Sequence, residues 1–233
     1  MLVARSEDRL RALAGALVAE HGVRADVLAA DLTQPGAAQA LAAALRRKRR
    51  PVDVLVNNAG VLEQGAFNAI AAERHQQLID LNVSGLTAML AAFVPAMVAR
   101  GRGRVLNVAS IAAFQPVPGL ATYAATKAYV LSLTESLAEE LRGSGVTVTA
   151  LCPGITATEM LADAAEHNAW LSDLPRFLIS DVASVAEEGY RACLGGDVIR
   201  VPGALNQAMT LAAGATPKWL VRRVAGVLGR KVL

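Results

Sequence analysis

Aromatic side chains are scarce in this chain of 233 residues: they make up 4% of it, against a hydrophobic share of 54%. The core must therefore be mostly Ala, Val and Leu. A basic face interleaved with aromatics is missing too, and the net charge of +3, carried more by Arg than by Lys, is spread thinly. Both points argue against a nucleic-acid binder. Cysteine is limited to Cys152 and Cys193, with no CxxC pair and no neighbouring His. Together with the scattered His21, His75 and His167, that spacing builds no metal set, so no metal is expected. No run approaches the ~18 uninterrupted apolar residues of a membrane span. The opening residues, from Met1 to Asp8, lack the apolar stretch of a secretory signal, so the expectation is a cytoplasmic protein with reduced thiols.

What the chain does have is alternation. Short β-branched runs near 2–4, 25–30, 52–56, 104–108, 146–151 and 198–201 alternate with helical patterns near 6–20, 36–48, 70–99, 122–142 and 181–194. Strands buried on both sides and separated by helices predict an α/β, doubly wound, Rossmann-like parallel sheet. Its ligands would lie beyond the carboxyl ends of the strands. No repeat or linker divides the sequence, so one domain over 1–233 is expected. The cluster Arg46, Arg47, Lys48, Arg49 and Arg50 reads as solvated cations at a helix end, where they complement the helix dipole.

The strongest local signal is Tyr123-Ala-Ala-Thr-Lys127, whose i, i+4 spacing puts phenol and ammonium on one helix face. A free phenol has a pKa of about 10. A lysine cation about 4 Å away contributes on the order of 4 kcal/mol at an effective dielectric of 20, enough to bring it down to about 7. Ser110 follows the strand at 104–108, where its hydroxyl could bond a substrate oxygen that gains charge. Asn82 lies mid-helix, where an amide has modest propensity. Asp31 and Leu32, then Asn57-Asn58-Ala59-Gly60, then Pro153-Gly154 with Thr158, each follow a strand in turn.

In this order and at these separations, the elements resemble the short-chain dehydrogenase/reductase family over essentially the whole chain. The resemblance implies an NAD(P)(H)-dependent oxidoreductase that interconverts a carbonyl and an alcohol. It makes Tyr123 the general acid/base and Lys127 the residue that tunes it and holds the nicotinamide ribose. Ser110 becomes the carbonyl-orienting hydroxyl, and Asn82 the holder of a relay water. Cofactor contacts fall to Asp31, Leu32, Asn58, Ala59, Gly60, Pro153, Gly154 and Thr158, besides Tyr123 and Lys127. Arg5 ends the first strand, where a basic residue suits a 2′-phosphate, so NADP(H) is favoured and NAD(H) is the alternative. A homo-oligomer paired through the helices near 70–99 and 122–142 is implied in the same way.

The same resemblance places a first strand and a glycine-rich loop before Leu2, a unit of about 30 residues. Without it, two inner strand edges would be left unpaired. A truncated, non-catalytic binding module is therefore the competing reading. Residues 155–180 are expected to form a substrate lid. Met160, Leu161, Trp170, Leu174, Phe177 and Leu178 make it apolar, as Ile111 and Phe114 do after Ser110, which points to a lipophilic carbonyl or alcohol or simply to packing. The tail, 204–231, interleaves Trp219, Leu220, Val221, Val224, Val227 and Leu228 with Lys218, Arg222, Arg223, Arg230 and Lys231. Such a helix can lie on a membrane surface, dock on its own domain or meet a second subunit.

Overall fold

The computed structural model describes residues 1–158, 175 and 178–229. Strand β1 (Leu2–Ala4) leads into α1 (Glu7–His21), β2 (Val27–Ala29) and α2 (Ala37–Arg47). Then come β3 (Val54–Asn57), α3 (Ala72–Ile79), a π-helical turn (Asp80–Gly85), α4 (Leu86–Ala99), β4 (Gly103–Val108), α5 (Ala121–Glu140) and β5 (Val146–Leu151). Helix α6 (Val182–Gly195), β6 (Ile199–Arg200), α7 (Ala204–Ala215) and α8 (Lys218–Gly229) complete the described chain. The architecture is the expected Rossmann-like α/β fold, and every strand pair is parallel. Two features of the long helices went unread in the sequence. The helix at 70–99 contains the π-turn, and the tail is two helices parted at Thr216-Pro217.

The sheet is split. Strands β3-β4-β5-β6 form one ladder and β1-β2 another, with no hydrogen bonding between β1 and β3. A cavity of about 630 Å³ lies between them, lined by Val3 and Ala4 from β1, by Val54, Leu55 and Val56 from β3, and by Leu41 and Phe93 from the helices. Val56 is 52% exposed in consequence. Parallel strands are normally paired on both edges, so these inner edges carry unpaired backbone groups.

Alternation along each strand sends side chains to two helical layers. Val105, Val148 and Ala150 face the main core with Leu90, Phe93 and Met97 of α4 and Val130 of α5. Leu106 and Leu151 face the other way, against Val185 and Cys193 of α6. Each such large apolar side chain contributes roughly 1.5–3 kcal/mol by leaving water. The continuous rod Ala72–Ala99 is long and apolar enough to cross a bilayer. Its fully buried Leu78 and Met97, and its packing against α2 and α5, show a core helix instead.

The basic cluster after α2 is less idle than its sequence suggests. Arg50 turns back to pair with Asp26 ahead of β2, so it is a tie between elements as well as a solvated cation.

Candidate active site

Strand β4 delivers Ser110 just beyond its carboxyl end. The Ser110 hydroxyl caps a short 3-10 helix, Ile111–Phe114, by accepting from the Ala112 N–H at 3.1 Å. The ends of β4 and β5 are laced together, since the Ala109 N–H donates to the Leu151 carbonyl and the Ile111 N–H to the Pro153 carbonyl. Helix α5 starts over this point and carries Tyr123 in its first turn and Lys127 in its second. The Lys127 ammonium lies 5.6 Å from the centre of the Tyr123 ring and donates to the Val108 carbonyl at 2.8 Å. Ser110, Tyr123 and Lys127 are thus brought to one place.

The electrostatics differ from expectation. Burial pushes the Tyr123 phenol above its usual pKa, opposed only by a hydrogen bond with Ser110. The lysine was expected to lower it, but the ammonium lies over the ring and bonds a backbone carbonyl. Desolvation of the phenol therefore wins. Lys127 itself, 6% exposed, is pushed down to about 8 by burial, with Cys152 acting weakly the other way. At pH 7 it still carries its charge.

Asn82 sits in the π-turn between α3 and α4. π-turns are rare and recur at functional sites. Its side-chain oxygen accepts from the Val61 N–H at 2.9 Å, and its nitrogen donates to the Val61 carbonyl at 2.9 Å and the Thr126 hydroxyl at 3.2 Å. Both amide hydrogens are engaged, which leaves one oxygen lone pair for anything else. A Cβ on Gly60 would lie 3.3 Å from that oxygen and 3.6 Å from the Lys127 nitrogen. The loop after β3 is therefore pressed flat against Asn82 and Lys127.

Arg5, Asp31, Leu32, Asn58, Ala59 and Gly60 all line the cavity between β1 and β3. One Asp31 oxygen accepts from the Thr33 N–H at 3.0 Å and the Thr33 hydroxyl at 2.8 Å. These bonds hold its pKa below the usual carboxylate value, and the charge of Arg5 adds to them. Pro153 and Gly154 lie on the other side, after β5. The Asn206 side chain of α7 packs so closely on Gly154 that a Cβ there would meet it at 2.6 Å. Thr158 is exposed. Of the lid residues, Met160, Leu161, Trp170, Leu174 and Phe177 lie outside the described residues, and Leu178 is half-buried.

Sequence reasoning missed three supports. Thr126 anchors Asn82. Gly85 lets the π-turn approach the loop after β2, since a Cβ there would lie 2.7 Å from the Leu32 carbonyl oxygen. A buried ladder runs beneath the site, in which Asn57 donates to Asn107 and Asn107 to Thr134, each at 2.9 Å. An amide in the middle of an apolar strand, as Asn107 is, was the available signal.

Residues 1–169 match the short chain dehydrogenase family. The chain belongs to that family. It is 39% identical over 166 residues to a putative ketoacyl reductase of Streptomyces coelicolor, covering 70% of this chain and 63% of that protein. Among solved structures, a short-chain dehydrogenase from Sphingobium yanoikuyae in complex with NADPH aligns with a TM-score of 0.77 at 34% identity, over 93% of this chain and 85% of that one. A 7β-hydroxysteroid dehydrogenase structure aligns with a TM-score of 0.83 at 26% identity, over 96% and 85%. This dehydrogenase-family chain spans about six tenths of the length of the curated relatives it matches.

Proposed function

We propose that this protein is an NADP(H)-dependent oxidoreductase that interconverts a lipophilic carbonyl compound and its alcohol. The observation that carries the reading is the convergence of Ser110, Tyr123 and Lys127 beside Gly60. The residues present fit a nicotinamide nucleotide, because Gly60 leaves open a space that any Cβ would narrow and Arg5, Asp31 and Asn58 line the cavity beside it. When bound, the nucleotide supplies or accepts the hydride.

The rest is protein chemistry. Tyr123 gives its proton to the carbonyl oxygen in reduction and takes it back in oxidation. Burial raises the phenol pKa and the bond with Ser110 opposes that rise, so Ser110 is the neighbour that eases proton release from Tyr123. The Ser110 oxygen accepts from Ala112 and its hydroxyl is bonded to Tyr123, so its hydrogen turns from the phenol to the substrate oxygen when the substrate enters. Lys127 uses one of three ammonium hydrogens on Val108 and keeps two for ribose hydroxyls. Asn82 holds the loop with its amide, so a relay water is left its remaining lone pair or backbone near the π-turn. Pro153, Gly154 and Thr158 flank the nicotinamide side.

The lipophilic substrate is supported by half-buried Ile111 and Phe114, which follow Ser110 directly. Arg5, exposed at the end of β1, suits a 2′-phosphate and supports NADP(H) over NAD(H). Pairing of subunits through α4 and α5 is supported by the exposed Val98 and Tyr129, and the protein is assigned to the cytoplasm.

The test is NADPH binding by fluorescence together with NADPH oxidation across a ketone panel. Tyr123→Phe should abolish turnover while NADPH still binds. Turnover retained in that variant would overturn the assignment.

A further inference from the structure

Helix α7 is turned inside out. Leu205, Met209 and Leu211 are exposed, Leu211 at 75%, while Asn206 and Thr210 face the protein half-buried. Leu205, Ala208, Met209 and Ala212 follow i, i+3, i+4, i+7 spacing and are all exposed, so one continuous apolar stripe meets solvent. The polar side is held down instead. Asn206 donates to the Pro202 carbonyl at 2.8 Å and packs on Gly154. No residue of α7 is fully buried. Helix α8 continues the pattern with Trp219, 57% exposed, beside exposed Leu220, Arg222 and Arg223.

Charge says what covers this surface. From Ala204 to the end the chain holds Lys218, Arg222, Arg223, Arg230 and Lys231 and no Asp or Glu. With a total of +3, the remainder of the chain is net negative. All of the positive excess therefore falls from Ala204 onward, the stretch that also holds the exposed Leu205, Met209, Leu211, Trp219 and Leu220. A two-fold partner would set this patch against its own copy, cation against cation. An anionic lipid surface complements both properties, with apolar side chains entering the acyl boundary and cations meeting headgroups.

We propose that α7 and α8 dock the protein on an anionic lipid bilayer. The surface stands apart from the oxidoreductase chemistry. Asn206 packs on Gly154 from the inner side of α7, and the apolar stripe faces the other way.

The full chain, carrying Trp170→Phe so that Trp219 is the one remaining tryptophan, is titrated with two kinds of vesicle. One is phosphatidylcholine alone, and the other is phosphatidylcholine mixed with phosphatidylglycerol. Co-sedimentation and Trp219 emission report binding. Binding to the mixed vesicles at least tenfold tighter than to phosphatidylcholine, weakened by salt, is expected. Arg222→Glu with Arg223→Glu, and separately Leu205→Ser with Leu211→Ser, should each weaken it at least tenfold. These positions are exposed, so folding is preserved, and NADPH binding serves as an independent check of the site. Absent or charge-independent vesicle binding would overturn the proposal. So would a soluble dimer broken by the serine variant without lipid affinity, which would assign the face to a second copy.

Discussion

The Lys127 ammonium donates to the backbone carbonyl of Val108 at 2.8 Å, tying helix α5 to the last residue of β4. One buried charge thus does two jobs. It anchors α5 to the sheet, and it leaves two of its three ammonium hydrogens for other acceptors. The cost is desolvation, which is why its pKa falls to about 8 from an ordinary 10.5.

That shift has a definite pH signature. Between about pH 8 and 10.5 the folded protein releases this proton while the unfolded chain keeps it, so the penalty of burying the charge is full below pH 8 and fades as pH rises. Lys127→Met lacks the effect. Its stability relative to wild type should fall by about 1 kcal/mol between pH 7 and 9. Urea unfolding of both proteins at the two pH values measures this, and a constant difference would show that the charge is not desolvated. The Tyr123 phenol, with its pKa raised, acts with the opposite sign above about pH 10, outside the span from pH 7 to 9.

Gly85→Ala should destabilise by about 2 kcal/mol through overpacking, because the new methyl would sit 2.7 Å from the Leu32 carbonyl oxygen. Both partners are backbone and cannot swing aside. Thermal unfolding reads this directly, and an unchanged midpoint would mean that the π-turn and the loop after β2 move apart freely.

Asn107→Leu removes the middle of the buried ladder. The Asn57 amide and the Thr134 hydroxyl each lose a partner, although Thr134 still donates to the Val130 carbonyl at 2.7 Å. A loss of about 2–3 kcal/mol is expected from the unpaired buried groups. Chemical denaturation checks it, with the apolar leucine serving to show that lost volume is not the cause.

Arg5→Asp should reverse cofactor preference. A carboxylate there repels a 2′-phosphate and suits a ribose hydroxyl, so kcat/KM with NADPH should drop more than tenfold, about 1.4 kcal/mol or more, while that with NADH holds or rises. Equal losses with both cofactors would remove Arg5 from the binding site.

The open edges of β1 and β3 should make residues 1–233 prone to self-association, since Val54 and Val56 lie exposed beside unpaired backbone. Val56→Lys places a charge at that edge. Light scattering on warming should rise more slowly in the variant, and an identical time course would show that aggregation starts elsewhere.

Much was determined by the sequence alone, because it depends on neighbours along the chain. Short β-branched runs alternating with helical patterns placed all six strands and the principal helices of the domain. Helical spacing put Tyr123 and Lys127 on one face, and the strand ends marked Ser110, Asp31 and Asn58–Gly60 as candidate site residues. What only the tertiary structure decided depends on groups distant in sequence. The Tyr123 pKa rises because several elements together exclude water from the phenol, a sum that no spacing rule contains. Asn82 looked like a mid-helix amide until Val61 and Thr126, 21 and 44 residues away, were found bonded to it. The gap between β1 and β3 and the outward apolar stripe of α7 are likewise properties of packing: each is defined by what does, or does not, lie opposite in space.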